Sequence, residues 1–214
     1  MKVCCVGYRD WALKIYDYLN FDGYDTYIIR NENEYDENNI RNYNPDYILF
    51  YGWSKIINPK LINDFKCIML HPSPLPKYRG GSPIQNQIIR GEKDSAVTLF
   101  LMDDGIDTGD IIAQKFLSLK GNLNEIFNRI TKVGLELTLN ILDNGYTQYK
   151  QDESNATYHK RRKPEMSEIT FDEILNKDAE YLHNKIRMLQ DPYPNAFIRT
   201  KDGKKLKIKL AEME

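Results

Sequence analysis

The chain has 214 residues, a net charge of −1 and 41% hydrophobic residues. That is one ordinary domain with a small appendage, and it excludes a global field that would draw in nucleic acid or an anionic membrane. No apolar run approaches the ~18 residues that span a bilayer, and the start, MKVCCVGYRD, lacks a signal-peptide profile.

The first half alternates between two kinds of segment. KVCCVG predicts a short buried strand, Trp11 to Leu19 a helix, and Thr26 to Ile29 a second strand. A polar Asn-, Glu- and Tyr-rich stretch over residues 31–44 carries no predicted element. Tyr47 to Tyr51 and Cys67 to Leu70 read as further strands. Glu92 to Ser95 is turn-like, Val97 to Met102 is a longer strand, and Ile111 to Leu119 another. This alternation predicts an α/β fold with a mostly parallel sheet. The adjacent Cys4 and Cys5 then point to opposite faces of a strand. With Cys67 they read as buried thiols of a cytoplasmic protein, not as a disulfide framework.

The clearest helix runs from about Leu123 to Leu142, with Ile126, Ile130, Val133, Leu137 and Ile141 as one apolar stripe. Asn122 or Asn124 caps its start, and Asp143-Asn144-Gly145 stops it. The composition then changes. Residues 1–150 are assigned to the main α/β domain, 151–170 to a linker with the basic run His159 to Lys163, and 171–214 to a small C-terminal helix-plus-β-hairpin region. Its helix spans about Asp172 to Leu189, and its hairpin turns at Asp202-Gly203.

Two features carry chemistry. His71, one of three histidines, stands where a strand breaks into the loop PSPLPKYRGGSP. Asp107 lies in the carboxylate-rich loop DDGIDTGD. A histidine at one strand end and an aspartate at another converge at the carboxyl edge of a parallel sheet, where such folds bind ligands. The aspartate loop lacks the terminal bidentate Glu of a calcium frame, so no metal is expected. With Gly7 but no G-x-G-x-x-G, a dinucleotide cofactor is disfavoured.

HPSPLPKYRGGSP followed by MDDGIDTGDII resembles the formyltransferase family that uses 10-formyltetrahydrofolate. Tyr51-Gly52-Trp53-Ser54, Ile57-Asn58-Pro59, Gly91-Glu92, Ala156-Thr157-Tyr158 and Asp191-Pro192-Tyr193-Pro194 extend the likeness over most of the chain. The short C-terminal region, GWS, HPSPLP and RRKPEMSEI look most like the sugar N-formyltransferases. The resemblance implies a Rossmann-like catalytic domain. It also implies formyl transfer to the amine of a nucleotide-linked amino sugar, such as a dTDP-4-amino-4,6-dideoxyhexose of surface polysaccharide, by a homodimer built through the hairpin. His71 would move the proton and face the oxyanion, with Asp107 as its partner; folate would lie against Trp53, Ile57, Met102, Gly105 and Asp107. Arg9, Lys77 and Arg79 are the cations available to a diphosphate. Met69 stands where the family has an asparagine two residues before the histidine. On a strand it shares a face with His71, and it has no N–H to give an oxyanion. Methionyl-tRNA formyltransferase, a formyl-folate hydrolase and a degenerate folate-binding relative are the alternatives.

Overall fold

The computed structural model describes all 214 residues. Strands β1 (Lys2–Val6), β2 (Asp25–Ile29), β3 (Tyr47–Tyr51) and β4 (Cys67–His71) pair in parallel in the order β2-β1-β3-β4. After a two-residue strand β5 (Arg79–Gly80), β6 (Asp94–Leu101) runs antiparallel beside β4, and β7 (Ile111–Ser118) runs antiparallel beside β6. The mostly parallel sheet is as expected.

Strand alternation divides the apolar residues between two faces. Val3, Cys5, Ile68 and Leu70 belong to the larger core, together with Trp11, Ile15 and Leu19 of α1 (Asp10–Phe21). Cys4, Val6, Phe50 and Cys67 belong to the smaller core, closed by Ile40 of α2 (Glu37–Tyr43) and Leu61 of α3 (Pro59–Asp64). All three thiols are buried and unpaired, and burial pushes those of Cys4 and Cys67 up to about 12. Helix α2 was not predicted. It buries only Ile40, so a seven-residue helix shows no apolar period. Its signal was the Asp36 side chain, which accepts from Asn38 N at 2.8 Å.

After the short α4 (Pro83–Ile88), helix α5 (Leu123–Asn144) starts at Asn122 with a reciprocal capping box to Glu125. Its most buried line is Ile126, Ile130, Gly134, Thr138 and Ile141, with Val133 and Leu137 only half-buried to one side. Gly134 lies against Leu70 and Ile15, so the small residues sit where the helix comes closest to the sheet.

The segment expected to be a linker is part of the main body. Its strand β8 (Tyr158–His159) pairs in parallel with β5, and Arg79 N donates to Thr157 O at 2.8 Å. The single C-terminal helix expected is two, α6 (Phe171–Asn176) and α7 (Ala179–Arg187), because Asp178 caps a new start by accepting from Tyr181 N at 2.8 Å. The hairpin of β9 (Ala196–Arg199) and β10 (Lys205–Ile208) lays Ala196, Ile198 and Ile208 on the larger core. Its apolar face is thus largely satisfied within the chain, while Leu206 and Leu210 face outward. No helix is long and apolar enough to cross a membrane.

One buried ion pair ties this region together. Lys185, 4% exposed, donates to both oxygens of Glu173 at 2.7 Å. Burial pushes the Glu173 carboxyl up, but bonds from Lys185, the Thr170 cap and Tyr181 outweigh it and hold the group below its usual 4.5. Removing one partner strands the other charge, so Lys185→Ala should cost about 3 kcal/mol at pH 7. A carboxyl depressed by folding stabilises above its unfolded value and loses that contribution as pH falls through the folded one. Urea unfolding at pH 7 and pH 4 should therefore show the gap between wild type and variant narrowing in acid.

Candidate active site

His71 ends β4, and the loop after it is built from proline carbonyls that must find donors elsewhere. Gln87 Nε2 donates to Pro72 O at 2.9 Å, Thr98 Oγ1 to Ser73 O at 2.6 Å, and Gln114 Nε2 to Leu75 O at 3.1 Å. The loop is therefore held by the buried side chains of α4 and β6 and the neighbouring β7. Tyr78 O, near its end, lies 2.8 Å from His71 Nε2. A carbonyl only accepts, so Nε2 carries a proton and Nδ1 is the nitrogen free to exchange one.

Asp107 arrives by an unexpected route. Because β6 is antiparallel, its end, Leu101, lies beside Ile68 near the start of β4, not beside His71. The connection of residues 102–110 must fold back toward the carboxyl end of β4. Asp103 Oδ1 gathers it by accepting from Gly105 N at 3.1 Å and Thr108 Oγ1 at 2.7 Å. Asp107 itself has φ +56°, the left-handed region. Its Oδ2 accepts from Gly80 N at 2.7 Å and faces His71 Nδ1 at 3.4 Å. His71 and Asp107 both line a cleft of about 1070 Å³, whereas Tyr78 does not. The ring is thus anchored on its Nε2 side, and its Nδ1 faces the Asp107 carboxylate on the other. His71 is only 5% exposed, so it is a buried group at the cleft wall.

The other expected residues divide. Trp53, Ile57, Met102 and Gly105 line the cleft, forming with Ile62, Met69 and Phe100 an apolar wall beside the pair. Met69 also packs on the Leu75–Phe100–Ile111 cluster. Arg9 also lines the cleft, its guanidinium 5.4 Å from the Tyr193 ring centroid. Lys77 and Arg79, expected on the substrate, are corrected by the structure. Lys77 is exposed and lies off the cleft wall. Arg79 is fully buried with all its donors committed to Gln151, Glu153 and Tyr158.

Besides Arg9 and Lys55, the cations that line the cleft come from the supposed linker: Lys160, Arg161, Arg162 and Lys163. They run past Gly80 and Gly81 at backbone distance. A Cβ at Gly80 (φ +94°) would meet His159 O at 2.5 Å, and one at Gly81 would meet Arg161 Cα at 2.4 Å, so only glycine admits this strap. None of these four residues, nor Arg9, forms an ion pair with a carboxylate. Three buried cleft-lining donors, Trp53 Nε1, Gln85 Nε2 and Arg162 Nε, also have no partner. Sequence reading missed Gln85 and the strap. The basic run itself was visible, but its approach to a glycine pair about 80 positions away was not.

The formyl transferase family model matches residues 22–140. The chain belongs to that family. It is 40% identical over 177 residues to methionyl-tRNA formyltransferase of Lachnospira eligens, aligning 79% of this chain and 54% of that protein. It therefore spans about half the length of the curated relatives it matches. Among solved structures, methionyl-tRNA formyltransferase from Clostridium thermocellum superposes with a TM-score of 0.85 at 35% identity, covering 97% of both chains. A 4-N formyltransferase from Francisella tularensis gives 0.76 at 22% identity, covering 99% of this chain and 98% of that one, which is a likeness of fold.

Met69 is a packed member of the cleft's apolar lining. An amide in its place would exchange apolar contact for a half-buried polar group, so Met69→Asn should lower stability by about 1–3 kcal/mol. The thermal midpoint, measured beside that of a Lys77→Ala surface control, checks this.

Proposed function

We propose that this cleft moves a formyl group from 10-formyltetrahydrofolate to the amine of a phosphate-bearing acceptor. The observation that carries the reading is that the His71–Asp107 pair lines one cleft together with a group of apolar side chains and a set of cations that form no ion pair. The apolar wall of Trp53, Ile57, Met69 and Met102 suits a flat folate ring, and the orphaned Trp53 Nε1 offers it a donor. The family of the chain supports the same donor. In the same cleft, Arg9 and the strap of residues 160–163 offer the charge that phosphates require.

The reaction forms a bond from the acceptor nitrogen to the formyl carbon and breaks the bond from that carbon to the folate nitrogen. The acceptor amine loses a proton and the leaving nitrogen gains one. His71 Nδ1, facing Asp107 while Nε2 is held on Tyr78 O, is the group placed to carry that proton, and the carboxylate steadies the charged ring. Met69 gives the formyl oxygen no donor; Trp53 Nε1 and Gln85 Nε2 are the donors this cleft keeps free.

Two acceptors fit. Methionyl-tRNA is favoured by the 40% identity to an enzyme named for it. A nucleotide-linked amino sugar is favoured by the motif resemblance and by cations gathered at one side of the cleft, which match a diphosphate. One assay separates them: the protein with 10-formyltetrahydrofolate and either charged methionyl-tRNA or a panel of nucleotide-linked amino sugars, read as the mass gain of one formyl group. Amine-dependent release of tetrahydrofolate is expected with one acceptor class. Release without any amine would make the protein a hydrolase, and folate binding without turnover would overturn the catalytic reading. In the active pairing, His71→Asn should be slower by about 100-fold or more.

A further inference from the structure

Asp107 occupies the left-handed backbone region, which a non-glycine residue holds only where surrounding contacts over-determine it. The contacts that do so come from Gln151. Its Nε2 donates to Asp107 O at 2.9 Å and to Gly109 O at 2.7 Å, so one amide spans both ends of the turn that presents the carboxylate. Gln151 is 8% exposed and is held in its turn. Its Oε1 accepts from Arg79 Nε at 3.1 Å and Nη2 at 2.8 Å. The remaining Arg79 donors go to Glu153 Oε1 and Oε2 at 2.6 and 2.9 Å and to Tyr158 Oη at 2.6 Å. The guanidinium needs an acceptor from Gln151 and the two carbonyls need a donor, and a glutamine supplies both in one orientation.

The chain of contacts closes on itself. Arg79 is the first residue of β5, and the next amide, Gly80 N, is the one that donates to Asp107 Oδ2. The same short strand therefore fixes the Asp107 carboxylate directly and its backbone through Arg79 and Gln151. We propose that Gln151 and Arg79 are positioning residues, holding the Asp107 carboxylate on His71 without touching either substrate. This rests on the formyl-transfer reading of the site, and it assigns a mechanistic role to a buried arginine and to a glutamine from the segment expected to be a linker.

Gln151→Leu and Gln151→Glu test it. Glutamate keeps an acceptor for Arg79 but cannot donate to Asp107 O or Gly109 O. If satisfying Arg79 were all that mattered, Gln151→Glu would behave as wild type; the proposal expects it to behave as Gln151→Leu. The first readout needs no activity. Amide exchange at Gly80 should quicken by about 10-fold or more. Arg79 N and Gly81 N, which donate to Thr157 O and His159 O at 2.8 Å, should stay protected. The second is kinetic: kcat falling about 100-fold with KM for the formyl donor within about twofold. An unchanged Gly80 amide, rescue by glutamate, or joint loss of protection at residues 79, 80 and 81 would each overturn the proposal. The last outcome would mark a merely structural role. If wild type transfers no formyl group to any amine, the functional reading fails, while the Gly80 exchange still decides whether Gln151 places Asp107. Should Gln151→Leu fail to fold, the glutamate variant, which retains the Arg79 contact, carries both readouts.

Discussion

The site depends on one carboxylate oxygen. Asp107 Oδ2 accepts from the backbone of the proline-rich loop at Gly80 and faces the imidazole at the end of β4. It therefore joins the β6–β7 connection to β4 and β5. That junction is demanding because β6 runs against β4, so its connection starts at the wrong edge of the sheet and must double back. The left-handed Asp107, the Asp103 turn and the buried Gln151 are what this return requires. Charge-assisted bonds to backbone N–H groups are among the stronger contacts in proteins, and here one is spent on geometry.

A division of labour follows between the two sides of the histidine. Tyr78 O accepts a hydrogen bond from Nε2 and fixes the ring plane, leaving Nδ1 to face Asp107. Tyr78 is itself held, through its N–H to Thr157 Oγ1 at 2.8 Å and its hydroxyl to Glu92 Oε1 at 2.7 Å. It also stacks on His159, with ring centroids 4.8 Å apart. The strap that brings cations to the cleft is thus the same segment that steadies Tyr78 and, through it, the His71 ring.

Much of the fold was legible in the sequence. Strands β1, β3 and β4 and helix α5 announce themselves by short apolar runs or by a stripe of period 3.6, since each is packed by the residues that spell it. His71 and Asp107 were legible through motif resemblance. What escaped was whatever depends on partners far away in the chain. The sequence KYRG places Arg79 in a loop and makes it look like a free cation; only the approach of Gln151, Glu153 and Tyr158, over 70 positions later, turns it into a buried strut. The run His159 to Lys163 reads as a solvated linker because a two-residue bridge such as β5–β8 leaves no periodic trace. Helix α2 has one buried residue and therefore no pattern. The antiparallel direction of β6 is not written in an apolar run that suits either direction.

The central claim is that Asp107 and His71 act as one proton-carrying unit. The most direct measurement is the single-turnover rate of formyl transfer as a function of pH, for wild type and Asp107→Asn. Asparagine keeps an oxygen for the Gly80 N–H but cannot hold the proton or steady a charged ring. The account predicts a rate lower by about 10²- to 10⁴-fold and a pH profile of altered shape, with donor binding retained. Superimposable profiles at comparable rates would show that the pair does not carry the proton.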